Sequence, residues 1–182
     1  MEKKMPPLEN LCSFSGIRPA IVDLAYPPVR VCERNQTYAN LLSVDYCGAV
    51  SELTAITQYI NHENRLSCEH CPLAKSILGI AMAEMMHLQK LGELIWLLGG
   101  EVDFVARYRG GRKCMWTAQY AAIACCAEEM LLANIEGEKQ AIAQYKAHIN
   151  VMEDAYVNAV LKRIIKDEEY HIMLLQNFME EM

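Results

Sequence analysis

The sequence predicts an all-α fold: four long helices, paired as two helical hairpins and joined by one long crossover. Three observations carry this. Hydrophobic residues make up 53% of the chain, yet only three are Phe and two Trp. Ala, Leu, Ile and Met dominate instead, a balance that suits helices better than a sheet sandwich. Apolar residues recur at helical spacing in four segments. The connections between those segments run short, long, short, and a short connection makes antiparallel neighbours whereas a long one permits a crossover.

Residues 1–36 hold five of the six prolines and read as an irregular arm ahead of a bundle over 37–182. The first helix is expected at about 37–66, with Leu41, Asp45, Glu52, Ile56, Tyr59 and Glu63 along one face. A polar loop carrying Cys68-Glu-His-Cys71 and Pro72 leads to the second, about 73–98, which ends at Gly99-Gly100. The Gly- and Arg-rich crossover GGEVDFVARYRGGRKCMW follows, then a third helix at about 117–149 and a fourth at about 154–179.

Net charge is −6, and the one basic cluster is Arg107, Arg109, Arg112 and Lys113 in the crossover. Nucleic acid is therefore not an expected partner; the cluster reads as a solvated loop. The opening MEKKMPPLEN lacks the apolar run of a signal peptide, and no uninterrupted apolar stretch reaches membrane-spanning length. A cytoplasmic protein with no membrane partner is expected. For such a chain the eight cysteines read as thiols rather than as a disulfide framework. Cys125 and Cys126 read as small buried hydrophobes, and the lone Cys68/Cys71 pair as loop thiols or, less well, a metal or redox pair.

The chain also repeats itself. ELTAITQYINH (52–62) and EKQAIAQYKAH (138–148) agree at six of eleven positions, and AEMMHLQKL (83–91) and DEEYHIMLL (167–175) share Glu, His and Leu in register. The two hairpins thus resemble each other, and a pseudo-twofold axis would bring their polar core residues to one place. Those residues are Glu52, Glu84 with His87, Glu138, and Glu168 with His171. Glu-x-x-His places both side chains on one helix face, one turn apart. Each pair follows a lone Glu on the preceding helix by about thirty residues. Four carboxylates in a core would repel and lose hydration. Two divalent cations balance their charge, two neutral imidazoles add ligands without adding more, and the carboxylate–imidazole set suits iron or manganese.

The third helix offers both Glu136 and Glu138, about 200° apart on a helix, so only one faces the core. Glu138 matches the repeat and is in phase with Leu131, Ile135, Ile142 and Tyr145, whereas Glu136 lines up with Glu129, Lys139 and Gln140. Glu138 is the choice. Tyr59 and Tyr145 follow the lone glutamates by two turns, placed either to hydrogen-bond the carboxylates or to fill the core. His62 and His148 read as polar residues at the bundle ends, and Glu63 as a solvated end residue.

On these motifs the chain resembles the ferritin-like superfamily over about 37–180, closest to its rubrerythrin and bacterioferritin branch. SELTAITQY resembles the family's Glu-x-x-Ala-x-x-x-Tyr helix, and AEMMH and DEEYH its two Glu-x-x-His helices. The resemblance implies bridging roles for Glu84 and Glu168, terminal roles for Glu52 and Glu138, and one metal each for His87 and His171. Glu84, Glu168, Tyr59 and Tyr145 are the catalytic candidates. It further implies two iron ions, or else two manganese ions, and ferroxidase or peroxidase chemistry with O2 or H2O2 in a homo-oligomer. Iron sequestration, manganese catalase-like disproportionation and a structural role are the alternatives. A rubrerythrin carries two Cys-x-x-Cys pairs in its rubredoxin module; this chain has one, so electrons would have to come from a separate donor. The arm and the Arg-containing crossover also set the chain apart from minimal ferritins.

Overall fold

The structure, a computed structural model, describes residues 12–182. The arm's first eleven residues, including the opening read above for a signal peptide, lie outside them. Five helices make up four columns: α1 (Gln36–Cys47), α2 (Glu52–Leu66), α3 (Cys71–Leu97), α4 (Ala127–Ile149) and α5 (Ala155–Glu180). α1 and α2 both pack on α3 and α4, so together they form the first column, where a single helix was expected.

The break between them is built from side chains. The Gly48 carbonyl accepts hydrogen bonds from Ser51 Oγ at 2.8 Å and Thr54 Oγ1 at 3.0 Å. Ser51 then caps α2 by accepting from the Thr54 N–H at 3.2 Å. A Cβ on Gly48 would stand 2.6 Å from the Val44 carbonyl oxygen, so glycine is required there. Glu52 consequently becomes the first residue of a new helix.

The crossover holds a small antiparallel hairpin, β1 (Val105–Arg107) with β2 (Lys113–Met115), turned at Gly110 and Gly111, both at positive φ. Arg109, Arg112 and Lys113 are exposed, as a solvated loop requires, and only Arg107 is held back against the bundle. Arg107 pairs with Asp103 and Glu101, both at 2.7 Å, its N–H bonds Ser43 Oγ at 2.9 Å, and Trp116 Nε1 bonds Thr54 Oγ1 at 3.0 Å. The third helix starts ten residues later than expected because α2 captures the preceding backbone. Gln58 accepts from the Ala122 N–H at 2.8 Å, His62 Nε2 meets the Ala122 carbonyl at 2.9 Å, and Arg65 reaches the Ala124 carbonyl.

Several assignments are corrected here. His62 and Glu63 are buried, not at a wet end: His62 Nδ1 meets Asn134 Oδ1 at 2.9 Å. Cys125 and Cys126 are exposed, and Cys71 is disulfide-bonded to Cys12, leaving Cys68 free. That bridge ties the arm to the start of α3. From there the arm runs along α3 and α5 without helix or strand up to Asn35, whose side chain caps α1.

Two apolar clusters divide the core by height. One gathers Leu91 and Leu94 of α3 and Leu98 just past its end with Val157, Leu161 and Ile164 of α5; the other gathers Ile77 and Ile80 of α3 with Leu131 of α4 and Leu175 of α5. On every column the apolar run is interrupted at the same level, between the clusters. The interruptions are Glu52, Glu84 with His87, Glu138, and Glu168 with His171.

Candidate metal centre

All six of these side chains are at most 3% exposed. They form two groups, Glu52–Glu84–His87–Glu168 and Glu84–Glu138–Glu168–His171, in each of which one donor atom per residue lies within 4.8 Å of the others. Glu84 and Glu168 belong to both. Glu138 takes part, whereas Glu136 faces solvent and bonds Gln140.

Both imidazoles turn Nδ1 inward. His87 Nδ1 lies 3.1 Å from Glu84 and 3.3 Å from Glu168; His171 Nδ1 lies 3.0 Å from each of the same two carboxylates. Each Nε2 points outward to a hydrogen-bond partner, Asp167 Oδ2 at 3.2 Å for His87 and the Ala20 carbonyl at 2.8 Å for His171. Such backing selects the tautomer that leaves the Nδ1 lone pair free for a metal. The tyrosines cross between columns: Tyr59 of α2 donates to Glu138 of α4, and Tyr145 of α4 donates to Glu52 of α2. Both hydroxyls sit two turns beyond one lone glutamate and serve the other.

The electrostatics show how much negative charge the cluster must balance. Burial, then the neighbouring carboxylates, pushes the Glu52 and Glu138 carboxyls well above the usual range. Burial opposes charge on His87 and His171, but the carboxylates around them outweigh it and raise both. One oxygen each of Glu84 and Glu168 is buried without a hydrogen-bond partner. Left to protons alone, the cluster holds its charge by partial protonation. Two divalent cations would use the orphaned oxygens and displace the protons. The donor set fits a dinuclear carboxylate centre.

Behind His87 lies a layer that the sequence reading missed. Asp167, fully buried, accepts from the Val22 N–H at 2.8 Å and from Tyr26 Oη, and forms an ion pair with Arg163 at 2.7 Å. Burial disfavours its charge, but the hydrogen bonds from His87, Tyr26, Arg163 and Val22 win and pull its pKa down to about 2. Arg163 in turn donates to the Leu24 and Val22 carbonyls and stacks over Tyr26. The arm thus closes the back of the cluster. The signal available was the charged pair Arg163 and Asp167, one turn apart on a helix and on its buried side.

A cavity of about 260 Å³ between α2 and α4 reaches the cluster from the surface. Glu52, Glu84, Glu138 and Glu168 line its inner end, Ala49–Ser51 of the helix break and the small residues Ala133 and Gly137 line its walls, and exposed Glu136 and Gln140 stand at its mouth.

The model of the ferritin-like domain matches residues 49–182. The chain belongs to the ferritin-like family. It is 27% identical over 168 residues to the probable manganese catalase of Clostridium acetobutylicum, covering 81% of this chain and 72% of that protein. Among solved structures, this ferritin-like chain is similar to KatB, a manganese catalase from Anabaena, with a TM-score of 0.76 at 23% identity over 88% of this chain and 78% of that one. The bacterioferritin BfrA of Mycobacterium tuberculosis matches with a TM-score of 0.67 at 25% identity, over 82% and 88% of the two chains.

Proposed function

We propose that this chain is a dinuclear manganese oxidoreductase that disproportionates hydrogen peroxide. The observation that carries the proposal is the pair of buried groups sharing Glu84 and Glu168 at the inner end of the α2–α4 cavity. The likeness to two manganese catalases supports manganese. In this reading Glu84 and Glu168, common to both groups, would be shared by the two ions, Glu52 and His87 would hold one, and Glu138 and His171 the other.

Two adjacent redox-active ions supply a two-electron couple, each changing by one unit. The rest is the work of the chain. The apolar clusters above and below leave the α2–α4 cavity as the approach to the cluster described here, and it admits a molecule the size of peroxide. Glu52 and Glu138 line that cavity, each positioned by a tyrosine hydroxyl, and would between them take the two protons that the oxidised peroxide gives up and pass them to the second peroxide. One peroxide is oxidised to dioxygen while another is reduced to two waters, so no external donor is needed.

The second reading is an iron centre that oxidises Fe(II) or reduces peroxide with a separate electron donor, favoured by the likeness to bacterioferritin. In either case the expected assembly is a homo-oligomer, with exposed Trp96, Met115 and Ile123 among the surfaces available for it. Among the described residues no helix is long and apolar enough to cross a membrane. The test is to load metal-free protein with Mn(II) or Fe(II), count bound metal, and follow dioxygen release on adding peroxide without reductant. One dioxygen per two peroxides with the manganese form is the expected result, lost in Glu84→Ala together with the bound metal. Peroxide consumption by the iron form only with a reductant present favours the second reading. Two bound ions with no turnover in either form refutes both.

A further inference from the structure

The two halves of the centre are related by the internal repeat, and most of their surroundings obey it. Tyr145 holds Glu52 as Tyr59 holds Glu138. The correspondence fails at one place, behind the imidazoles. His87 is backed by a buried carboxylate, Asp167, whose other oxygen is bound by Arg163. His171 is backed by a neutral backbone carbonyl, that of Ala20.

The cause is visible in the repeat. Asp167 directly precedes Glu168, and the residue directly preceding Glu84 is Ala83. A methyl group accepts no hydrogen bond, so α3 leaves the other imidazole without a partner of its own. The arm supplies one by lying against α3: the Ala20 N–H bonds the Gly79 carbonyl at 2.8 Å, which turns the Ala20 carbonyl onto His171 Nε2. Small residues make that approach possible. Ala83 is fully buried, and a Cβ on Gly79 would already stand 3.1 Å from the Arg18 carbonyl oxygen.

A carboxylate behind an imidazole increases its basicity more than a peptide carbonyl does, and losing such a partner costs about 10- to 100-fold in metal affinity. We infer that the two metal positions are inequivalent, and that the Glu52–His87 position takes its ion first and more tightly than the Glu138–His171 position. Asp167 is the positioning residue that makes the difference. The inference rests on the dinuclear reading above and adds an order of filling to it.

The test is a crystal of the full chain grown with one equivalent of Mn(II), with occupancy at each position read from anomalous scattering. Several-fold higher occupancy beside His87 is expected. In Asp167→Asn the first binding event in a calorimetric titration should weaken about 10- to 100-fold, and the occupancies should become equal or reverse. A loss of stability alone would leave their ratio unchanged. Equal occupancy in the unsubstituted protein, or preference for the His171 side, overturns the inference and leaves the dinuclear centre standing. Absence of metal from both positions, even with excess Mn(II) or Fe(II), overturns the centre itself.

Discussion

Arg163→Met isolates the contribution of the layer behind His87. Arg163 is 3% exposed, pairs with the fully buried Asp167 at 2.7 Å, and donates to the Leu24 and Val22 carbonyls at 2.8 and 3.0 Å. Methionine fills similar space but leaves a buried carboxylate without its cation and two arm carbonyls without a donor. Removing one partner of a buried ion pair costs about 3–5 kcal/mol. In a domain of this size each kcal/mol lowers Tm by about 2–4 °C, so the expected drop is about 6–20 °C. Thermal melts of the metal-free protein at neutral pH measure it, and limited proteolysis between residues 12 and 35 reports whether the arm has come away. Asp167→Asn added to Arg163→Met should recover part of the loss, because the stranded charge is then gone. A drop below about 1 kcal/mol, or a double variant no better than the single, would refute the account of Asp167 as a charge held by this pair.

Three further outcomes are expected. Gly79→Val should push the arm off α3 and cost about 1–3 kcal/mol, read as a lower denaturant midpoint with faster arm cleavage; an unchanged midpoint would mean that the contact with Arg18 is slack. Cys12→Ser opens a loop closed across a sequence separation of 59 and should cost about 2–4 kcal/mol, an effect that a thiol reductant should reproduce in the unsubstituted protein and not in the variant. His148 is the pH-dependent element: burial disfavours its charge, but the Asp45 carboxylate at 2.7 Å outweighs that and raises its pKa. A raised imidazole pKa stabilises the fold fully below its unfolded value, near 6.5, and the gain is lost as pH rises through the folded value. The stability gap between the metal-free protein and His148→Gln should therefore be about 1–2 kcal/mol at pH 6 and shrink by pH 9; a gap constant over that range would contradict the pairing.

The bundle and the six clustered residues were legible because each lies on an apolar stripe, where a charged group stands out against its neighbours. Glu138 could be told from Glu136 by the internal repeat and by helical phase. The helix break was harder, since apolar spacing continues across it; Gly48 and the Ser51-Glu52 pair marked it, but only side-chain bonds back to the Gly48 carbonyl show that they end one helix and begin another. The late start of α4 depends on Gln58, His62 and Arg65 seizing distant backbone groups, and no local pattern records that. The same holds for His62 and Glu63, read as wet ends because their segment was expected to stop in solvent. Least legible was the arm. Its contribution to His171 is a peptide carbonyl, which any residue at position 20 could offer, and its anchor joins Cys12 to a cysteine whose nearer neighbour, Cys68, was the obvious candidate partner.

The arm also sets when the centre can be finished. Ala20 meets His171 across 151 residues, Val22 meets Asp167 across 145, and Tyr26 meets Asp167 across 141. Contacts of such long separation form only after the intervening chain has been ordered. During synthesis the segment that backs His171 and braces Asp167 is made well before α5, the helix it must embrace. An ion held with both imidazoles in place therefore reports that the arm and α5 have already met.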